Sequence, residues 1–373
     1  MLTVGTFLPP APRGGAPAPA ARARTGRIPA DEHALLMDLL ATLPDVEFVH
    51  GLDIRRSCVR DGRVHCGEVC LNDLDLYVWH AGTARDPRGY TLEALRTLSL
   101  DVPVVPDPER FATGLDKYRA HLRLSRAGLP VPDTILLDHR NTEAGAPVLA
   151  AWGRALLKPR FGAYGRGVLL IEDAATLRDL ADYLDGTVGA GAESTFLLER
   201  FCPNRGPADW VGTTLVNGTL MYGYRKRAHR FTRMPTGAWK VYDPEGVGGD
   251  VDACDVPPEH ARLARLAQRA LDLPLVGFDL IRSEGRPVIV DENTFPGFYP
   301  DLLAAAGRSL GRELFGLVRD LVAGLIAERA GAPEAARRTR LDGEPAGPGA
   351  RGERPPRTAD GVPARVSGRS TAT

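Results

Sequence analysis

The sequence predicts an α/β fold, and three observations carry the prediction. Strand-like apolar runs alternate with helix-like leucine periods from Met1 to Val105, the pattern of a small sheet with helices packed on it. Late in the chain, Val276 to Ile281 and Val288 to Asn293 flank Ser283-Glu284-Gly285-Arg286, which reads as a β-hairpin with a Gly-containing turn. A length of 373 residues is also enough for two or more packed units.

Met1 to Leu8 reads as a first buried strand and lacks the basic start of a signal peptide. Pro9 to Pro29, rich in Pro, Ala, Gly and Arg, has no apolar period and reads as a loop or insertion. Asp31 to Leu43 sets Leu35, Leu36, Leu39, Leu40 and Leu43 on one helical face. Val46 to Ile54 is strand-like, and Arg60-Asp61-Gly62-Arg63 is a hairpin turn signal. Leu74 to Trp79 reads as a strand, Thr91 to Leu98 as a helix, and Val102 to Val105 as a short strand.

A single helix is expected over Pro108 to Gly128, carrying Lys117 and ending at its glycine. Strands follow at Thr134 to Leu137, Ala155 to Pro159 and Val168 to Ile171, with a polar link between the first two. Helix Ala174 to Leu184 precedes strand Thr195 to Phe201. Asp209 to Val216 and Thr219 to Arg227 pair around Asn217-Gly218. Helix Glu259 to Leu271 leads into the late hairpin, and helices Asp301 to Ala306 and Gly311 to Arg329 close the fold. From Gly331 the chain is Pro, Gly, Arg and Ala without an apolar face, which reads as disordered.

Composition narrows the function. Lys and Arg number 47, as do Asp and Glu, so no overall field draws the chain to nucleic acid. No run of eighteen apolar residues occurs, and a membrane span is not expected. Five cysteines in a chain of this length do not make a disulfide framework, and a cytoplasmic location is expected. Cys58, Cys66 and Cys70, with His65, lack the paired spacing of a zinc site and read as ordinary thiols.

The chemistry concentrates in the late hairpin. A turn centred on Glu284 and Gly285 sets Asp279 opposite Val290 or Asp291. Asp291 and Asn293 then share a face while Glu292 points the other way. Carboxylates on apolar strands are costly unless something neutralises them, and solvation at a strand end is the plain alternative. Three oxygen ligands with room for water suit Mg2+, or Mn2+, bound with a nucleotide's phosphates.

The run Gly162-x-x-Gly165-x-Gly167 lies between two strands, so it is neither a Walker loop nor a dinucleotide fingerprint. Alone it reads as a turn, although a glycine tip can also present backbone N–H groups to phosphates. Lys158 ends the strand before it. Arg225-Lys226-Arg227, followed by His229, Arg230 and Arg233, reads either as a solvated strand end or as cations facing a transferred phosphate.

Lys117 in Asp116-Lys117-Tyr118, Lys158 with the glycine tip, Leu197-Leu198-Glu199-Arg200-Phe201, and Asp279 with Asp291 to Gly297 together resemble the ATP-grasp superfamily, nearest to RimK-type amino-acid ligases. The resemblance covers about residues 70 to 325. It implies an N-terminal Rossmann-like pre-ATP-grasp domain over 1–107 and a two-lobed ATP-grasp domain over 108–329, its lobes 108–194 and 195–329. The tail would be 330–373. It implies that Lys117 and Lys158 contact phosphates and that Gly162, Gly165 and Gly167 close over them. Glu199, Arg200, Phe201 and Cys202 would form the adenine hinge, and Asp209 would help to place the nucleotide or the next strand. Asp279, Asp291 and Asn293 would hold the metal, and Arg225 and Arg227 would act on the transferred phosphate.

Two departures stand out. The family's Glu-x-Asn is Asp-Glu-Asn here, and a register slip would make Glu292 the ligand. Its Asp-x-Arg is Asp209-Trp210-Val211, so Arg225, Lys226 or Arg227 would have to supply the missing cation. The implied activity is an ATP-dependent carboxylate–amine ligase working through an acyl phosphate, with small-molecule acid and amine substrates, an amino acid or peptide among them. Transfer to a carrier-protein thiol, a kinase on the same scaffold, a degenerate ATP-binding regulatory protein and a homo-oligomer all stay open.

Overall fold

The computed structural model describes residues 1–11, 26–84, 86–162, 167–188, 195–203, 210–226, 230–233, 239–242 and 251–331. Residues Met1–Gly324 form one packed unit, and a second begins at Leu325. The tail expected to be disordered lies almost wholly outside the described residues.

The chain opens with β1 (Leu2–Phe7), α1 (Ala30–Leu40) and β2 (Val46–His50). A three-stranded sheet follows, of β3 (Cys58–Arg60), β4 (Arg63–Cys66) and β5 (Val69–Cys70). Asp61 and Gly62 turn its first hairpin with φ of 52° and 77°, the left-handed region the Asp-Gly signal announces. Then come β6 (Leu76–Trp79), α2 (Tyr90–Leu98) and β7 (Val104–Val105). Strands β2-β1-β6-β7 form one parallel sheet. Nearly every residue of β1 and β6 is buried, as a parallel sheet covered on both faces requires.

The helix expected over Pro108 to Gly128 is two helices, α3 (Pro108–Leu115) and α4 (Lys117–Arg126). Asp116 breaks it. Its backbone is extended (φ −94°, ψ 100°), and its side chain accepts the N–H groups of Tyr118 and Arg119. A capping aspartate competes with helix continuation, and here the cap wins. Lys117 therefore stands at the first position of a new helix.

In chain order there follow β8 (Thr134–Asp138), α5 (Ala146–Trp152), β9 (Ala155–Pro159), β10 (Leu169–Ile171), α6 (Ala174–Val188) and β11 (Thr195–Arg200). Next come β12 (Trp210–Val216), β13 (Thr219–Lys226), β14 (Arg230–Arg233), β15 (Trp239–Tyr242) and β16 (Val251–Ala253). The last elements are α7 (Pro258–Leu271), β17 (Leu275–Ser283), β18 (Arg286–Asn293), α8 (Pro300–Ala305) and α9 (Leu310–Gly331). The supposed polar link after β8 carries a 3-10 segment and α5, and β14 and β15 had no readable pattern.

Two antiparallel sheets result, β14-β15-β10-β9-β11-β8 and β16-β13-β12-β17-β18. Strand β11 pairs with β8 and β9, so Thr195–Arg200 lies in the first of these sheets although the expected lobe border gave it to the second. The largest core cluster runs from Trp79 and Phe111 through Leu124 and Leu263 to Phe278 and Ile289. The parallel sheet and the late hairpin thus share one interior. Trp79 stands edge-on to Phe111 at 4.9 Å and donates from Nε1 to Pro106 O at 2.8 Å.

Helix α1 holds the start of α9 through Glu32, whose Oε2 accepts Ser309 Oγ–H at 2.7 Å and Gly311 N–H at 2.8 Å. A Cβ on Gly311 would lie 2.5 Å from Glu32 O, so the close approach needs glycine. Glu32→Ala should cost about 1–3 kcal/mol in urea unfolding, more than Ser309→Ala, because it also strands a backbone donor. Equal costs would contradict the dual role.

Candidate active site

The hairpin register is settled by its turn. Glu284 and Gly285 take φ of 51° and 80°, and Asp279 pairs with Asp291 while Gly277 pairs with Asn293. A register shift beside Asp279 drops Val290 from the ladder. The pairing continues across the sheet. Asp291, Asp279, Gly212 and Tyr224 form one row, and Asn293, Gly277, Thr214 and Tyr222 form the next. Asp279, Asp291 and Asn293 therefore share a face, as the alternation of side chains predicts. Gly212 makes room for a ring: a Cβ there would lie 2.4 Å from Tyr224 Cζ.

Two lysines reach this hairpin from other elements. Lys117 Nζ pairs with Asp291 Oδ1. Lys158, buried on β9, pairs with Glu199 Oε1 at 2.6 Å and donates to Val290 O at 3.0 Å, the carbonyl that the bulge frees. Arg160 locks the lysines together. It donates from Nε and Nη2 to the two oxygens of Asp116 at 2.9 and 2.6 Å, and its carbonyl accepts Lys117 N–H at 3.1 Å. Asp116 is 3% exposed, so one buried carboxylate caps α4 and anchors the end of β9.

The lysines line a pocket with His121, Leu124, Leu197, Glu199, Ile289, Asp291 and Glu292. Burial lowers the Lys117 pKa, but Asp291 and then Glu292 outweigh it, and the net shift is upward. Burial raises Glu292 to about 8 against the pull of Lys117. It also raises Glu199, opposed by Lys158. Burial, then the charge of Lys158, lowers His121 to about 4 and keeps it neutral.

Glu292 pairs with Phe278 in the hairpin and lines the same pocket as Asp291 and the two lysines. Among the described residues its Oε1 is buried without a hydrogen-bond partner. The sequence reading missed His121, although it lies one helical turn after Lys117 on the same face.

Of the expected hinge, only Glu199 reaches the lysines. Arg200 N–H donates to Asp133 O, and Phe201 lies under Arg154 at 5.0 Å. Burial, then Glu199, pushes the Cys202 thiol up to about 11. Gly162 and Gly167 follow β9, and Gly167 has φ 76°. Gly165, Asp209 and Arg227 lie outside the described residues. Arg225 is adjacent to Tyr224, so alternation places it on the face away from Asp279, where it bonds Cys254. The structure does not bring Arg225 to the carboxylates.

All five cysteines are free thiols, and among the described residues no group of three or more His, Cys, Asp and Glu could hold a metal ion. The hairpin row instead offers two carboxylates and one amide. That all-oxygen set suits a hard cation sharing its shell with phosphates and water.

No family model matches the chain. A tetrahydromethanopterin:alpha-L-glutamate ligase of Methanosarcina acetivorans is 29% identical over 229 residues, 58% of this chain and 65% of that one. The chain thus spans just under two thirds of that relative. A solved D-cycloserine synthetase superposes with TM-score 0.54 at 18% identity, over 78% of this chain and 94% of that one. A RimK-domain ATP-grasp protein of Sphaerobacter thermophilus gives 0.53 at 19%, over 84% and 98%. The fold is that of the ATP-grasp ligases. A probable α-L-glutamate ligase of Xanthomonas campestris is 27% identical over 211 residues, 56% of this chain and 67% of that one.

Two outcomes check the geometry. Asp116→Ala should destabilise the chain by about 3–5 kcal/mol in thermal or urea unfolding, since it removes a cap and both partly buried charge-assisted bonds from Arg160; a loss under 1 kcal/mol contradicts the anchoring role. Below pH 6.5 the unfolded chain binds a proton that folded His121 refuses until about pH 4. Stability therefore drops as the pH is lowered from 6.5 to about 4, and His121→Gln should lessen that drop by up to about 3 kcal/mol. Parallel profiles would contradict it.

Proposed function

We propose that the chain is an ATP-dependent carboxylate–amine ligase, using ATP with Mg2+ or Mn2+ and an amino acid or peptide among its substrates. One observation supports this most: Lys117 and Lys158, from separate elements, converge on the hairpin that carries Asp279, Asp291 and Asn293. Two cations beside a row of hard oxygen donors are what a metal-bound triphosphate needs.

In this reading the substrate carboxylate attacks the γ-phosphate and ADP leaves; an amine then attacks the acyl carbon and phosphate leaves. Lys117 and Lys158 bind and orient the phosphates, giving up part of their pairing with Asp291 and Glu199. Asp279, Asp291 and Asn293 would hold the divalent ion, which supplies neutralisation of phosphate charge. The backbone from Glu199 to Cys202 would hold adenine against Leu197 and Ile289, with His121 a neutral neighbour. Gly162, Gly165 and Gly167 would cover the phosphates, and Asp209 and Arg227 would contact nucleotide and transferred phosphate. Arg225, bonded to Cys254 on the other face, takes no part. The names of the sequence relatives make L-glutamate the first amine to try.

The test is ADP release from MgATP with amino acids supplied in pairs, and mass spectrometry of the product. Asp279→Asn and Asp291→Asn should each lower turnover at least about 100-fold, with circular dichroism unchanged. Undiminished ADP release in both variants would remove the metal assignment.

A further inference from the structure

Charge is balanced over the whole chain but not over each of its faces. Lys and Arg number 47, as do Asp and Glu. Helix α4 nevertheless carries no acidic residue, and α7 carries Glu259 alone, which pairs with Arg282. Arg119, Arg123 and Arg126 follow one another at helical spacing on α4, and Arg262, Arg265 and Arg269 do so on α7. All six are exposed. Lys117, His121 and Leu124 line the pocket from the other side of α4, about half a turn away, so the arginine stripe faces solvent behind it.

The two stripes meet. Helix α4 packs on α7, and Arg123 Nε donates to Ala270 O in the last turn of α7 at 2.6 Å. Arg265 Nε donates to Gly218 O at 3.2 Å. Each bond fixes a guanidinium and leaves its Nη groups for another acceptor. Arg119 has Asp116 at 3.4 Å, and the other five have no carboxylate partner among the described residues. Each stripe is about 10 Å long, and packed helix axes lie about 8–10 Å apart, so the face is compact.

The chemistry of this face selects its partner. Arginine forks match carboxylates two bonds at a time. A single-stranded nucleic acid needs aromatic platforms, and a bilayer needs apolar side chains to insert. Among the described residues the exposed large apolar side chains are Met1, Val59, Tyr90, Leu100 and Ile326, none of them on α4 or α7. The segment after Gly331 has more Arg than Asp and Glu together, so it does not complement the face.

We propose that the joined arginine stripes of α4 and α7 are a docking surface for an acidic segment of a partner protein, behind the lysine pocket and separate from it. The surface goes beyond the ligase reading and does not depend on it.

The probe is a short fluorescent poly-L-aspartate peptide, followed by anisotropy with the full chain at low salt. Arg126→Gln, Arg262→Gln and Arg269→Gln combined should weaken binding roughly tenfold, the sum of three exposed ion pairs. Arg60→Gln, Arg88→Gln and Arg312→Gln combined remove the same charge from exposed positions elsewhere and should leave binding unchanged. MgATP should not displace the peptide. The proposal is overturned if the wild type does not bind, if the first triple variant binds as well as wild type, if both variants lose binding alike, or if MgATP competes. It is also overturned if poly-uridine RNA or phosphatidylserine vesicles bind the wild type more tightly than the peptide does and lose that binding in the first variant. Self-association of the wild type that the first variant abolishes would make a second copy the occupant and overturn it too. Should the first variant lose its circular dichroism, hydrogen exchange of the wild type decides: the peptide must slow exchange in α4 and α7, and slowing elsewhere alone contradicts the proposal.

Discussion

The ion pair between Lys117 and Asp291 is the contact on which the candidate site depends. It joins residues 174 apart, the first residue of a helix and the second strand of a hairpin. A charge withdrawn from water is tolerated only with a partner, and Lys117, the more buried of the two, has Asp291. The pair holds because Asp116 caps α4 and grips Arg160, which fixes Lys117 beside the strand of Lys158. On the hairpin side, the bulge at Val290 turns a carbonyl toward Lys158 and sets Asp291 opposite Asp279. Both halves are over-determined, and the lysines arrive preorganised.

The pocket also gathers negative charge. Lys117 and Lys158 face Glu199, Asp291 and Glu292, one acid more than the lysines balance. Burial raises carboxyl pKa values, and such crowding raises them further, as Glu292 and Glu199 show. In the proposed reading, a divalent cation arriving with phosphates would relieve both problems: it would offset the acids while the phosphates take the lysines.

Local rules made much of this legible. The Glu284-Gly285 turn fixed the register that pairs Asp279 with Asp291, and alternation set Asn293 beside them. Asn217-Gly218 and Asp61-Gly62 turned where their left-handed preference says they must. What stayed hidden came from competition or from distance. Asp116 looked like a helix-interior residue because nothing nearby in sequence shows that Arg160 will meet it. His121 has no strong local pattern, and its place in the pocket follows only from packing α4 against β18. Arg225 was misplaced because sheet pairing, not its own segment, decides which face it takes.

The most direct measurement is a crystal structure of the full chain with Mg2+ and a non-hydrolysable ATP analogue. It should show the cation bound by Asp279, Asp291 and Asn293, the phosphates on Lys117 and Lys158, and the Lys117–Asp291 pair opened. Nucleotide bound elsewhere, or bound with that pair intact and the hairpin row free of metal, would contradict the account.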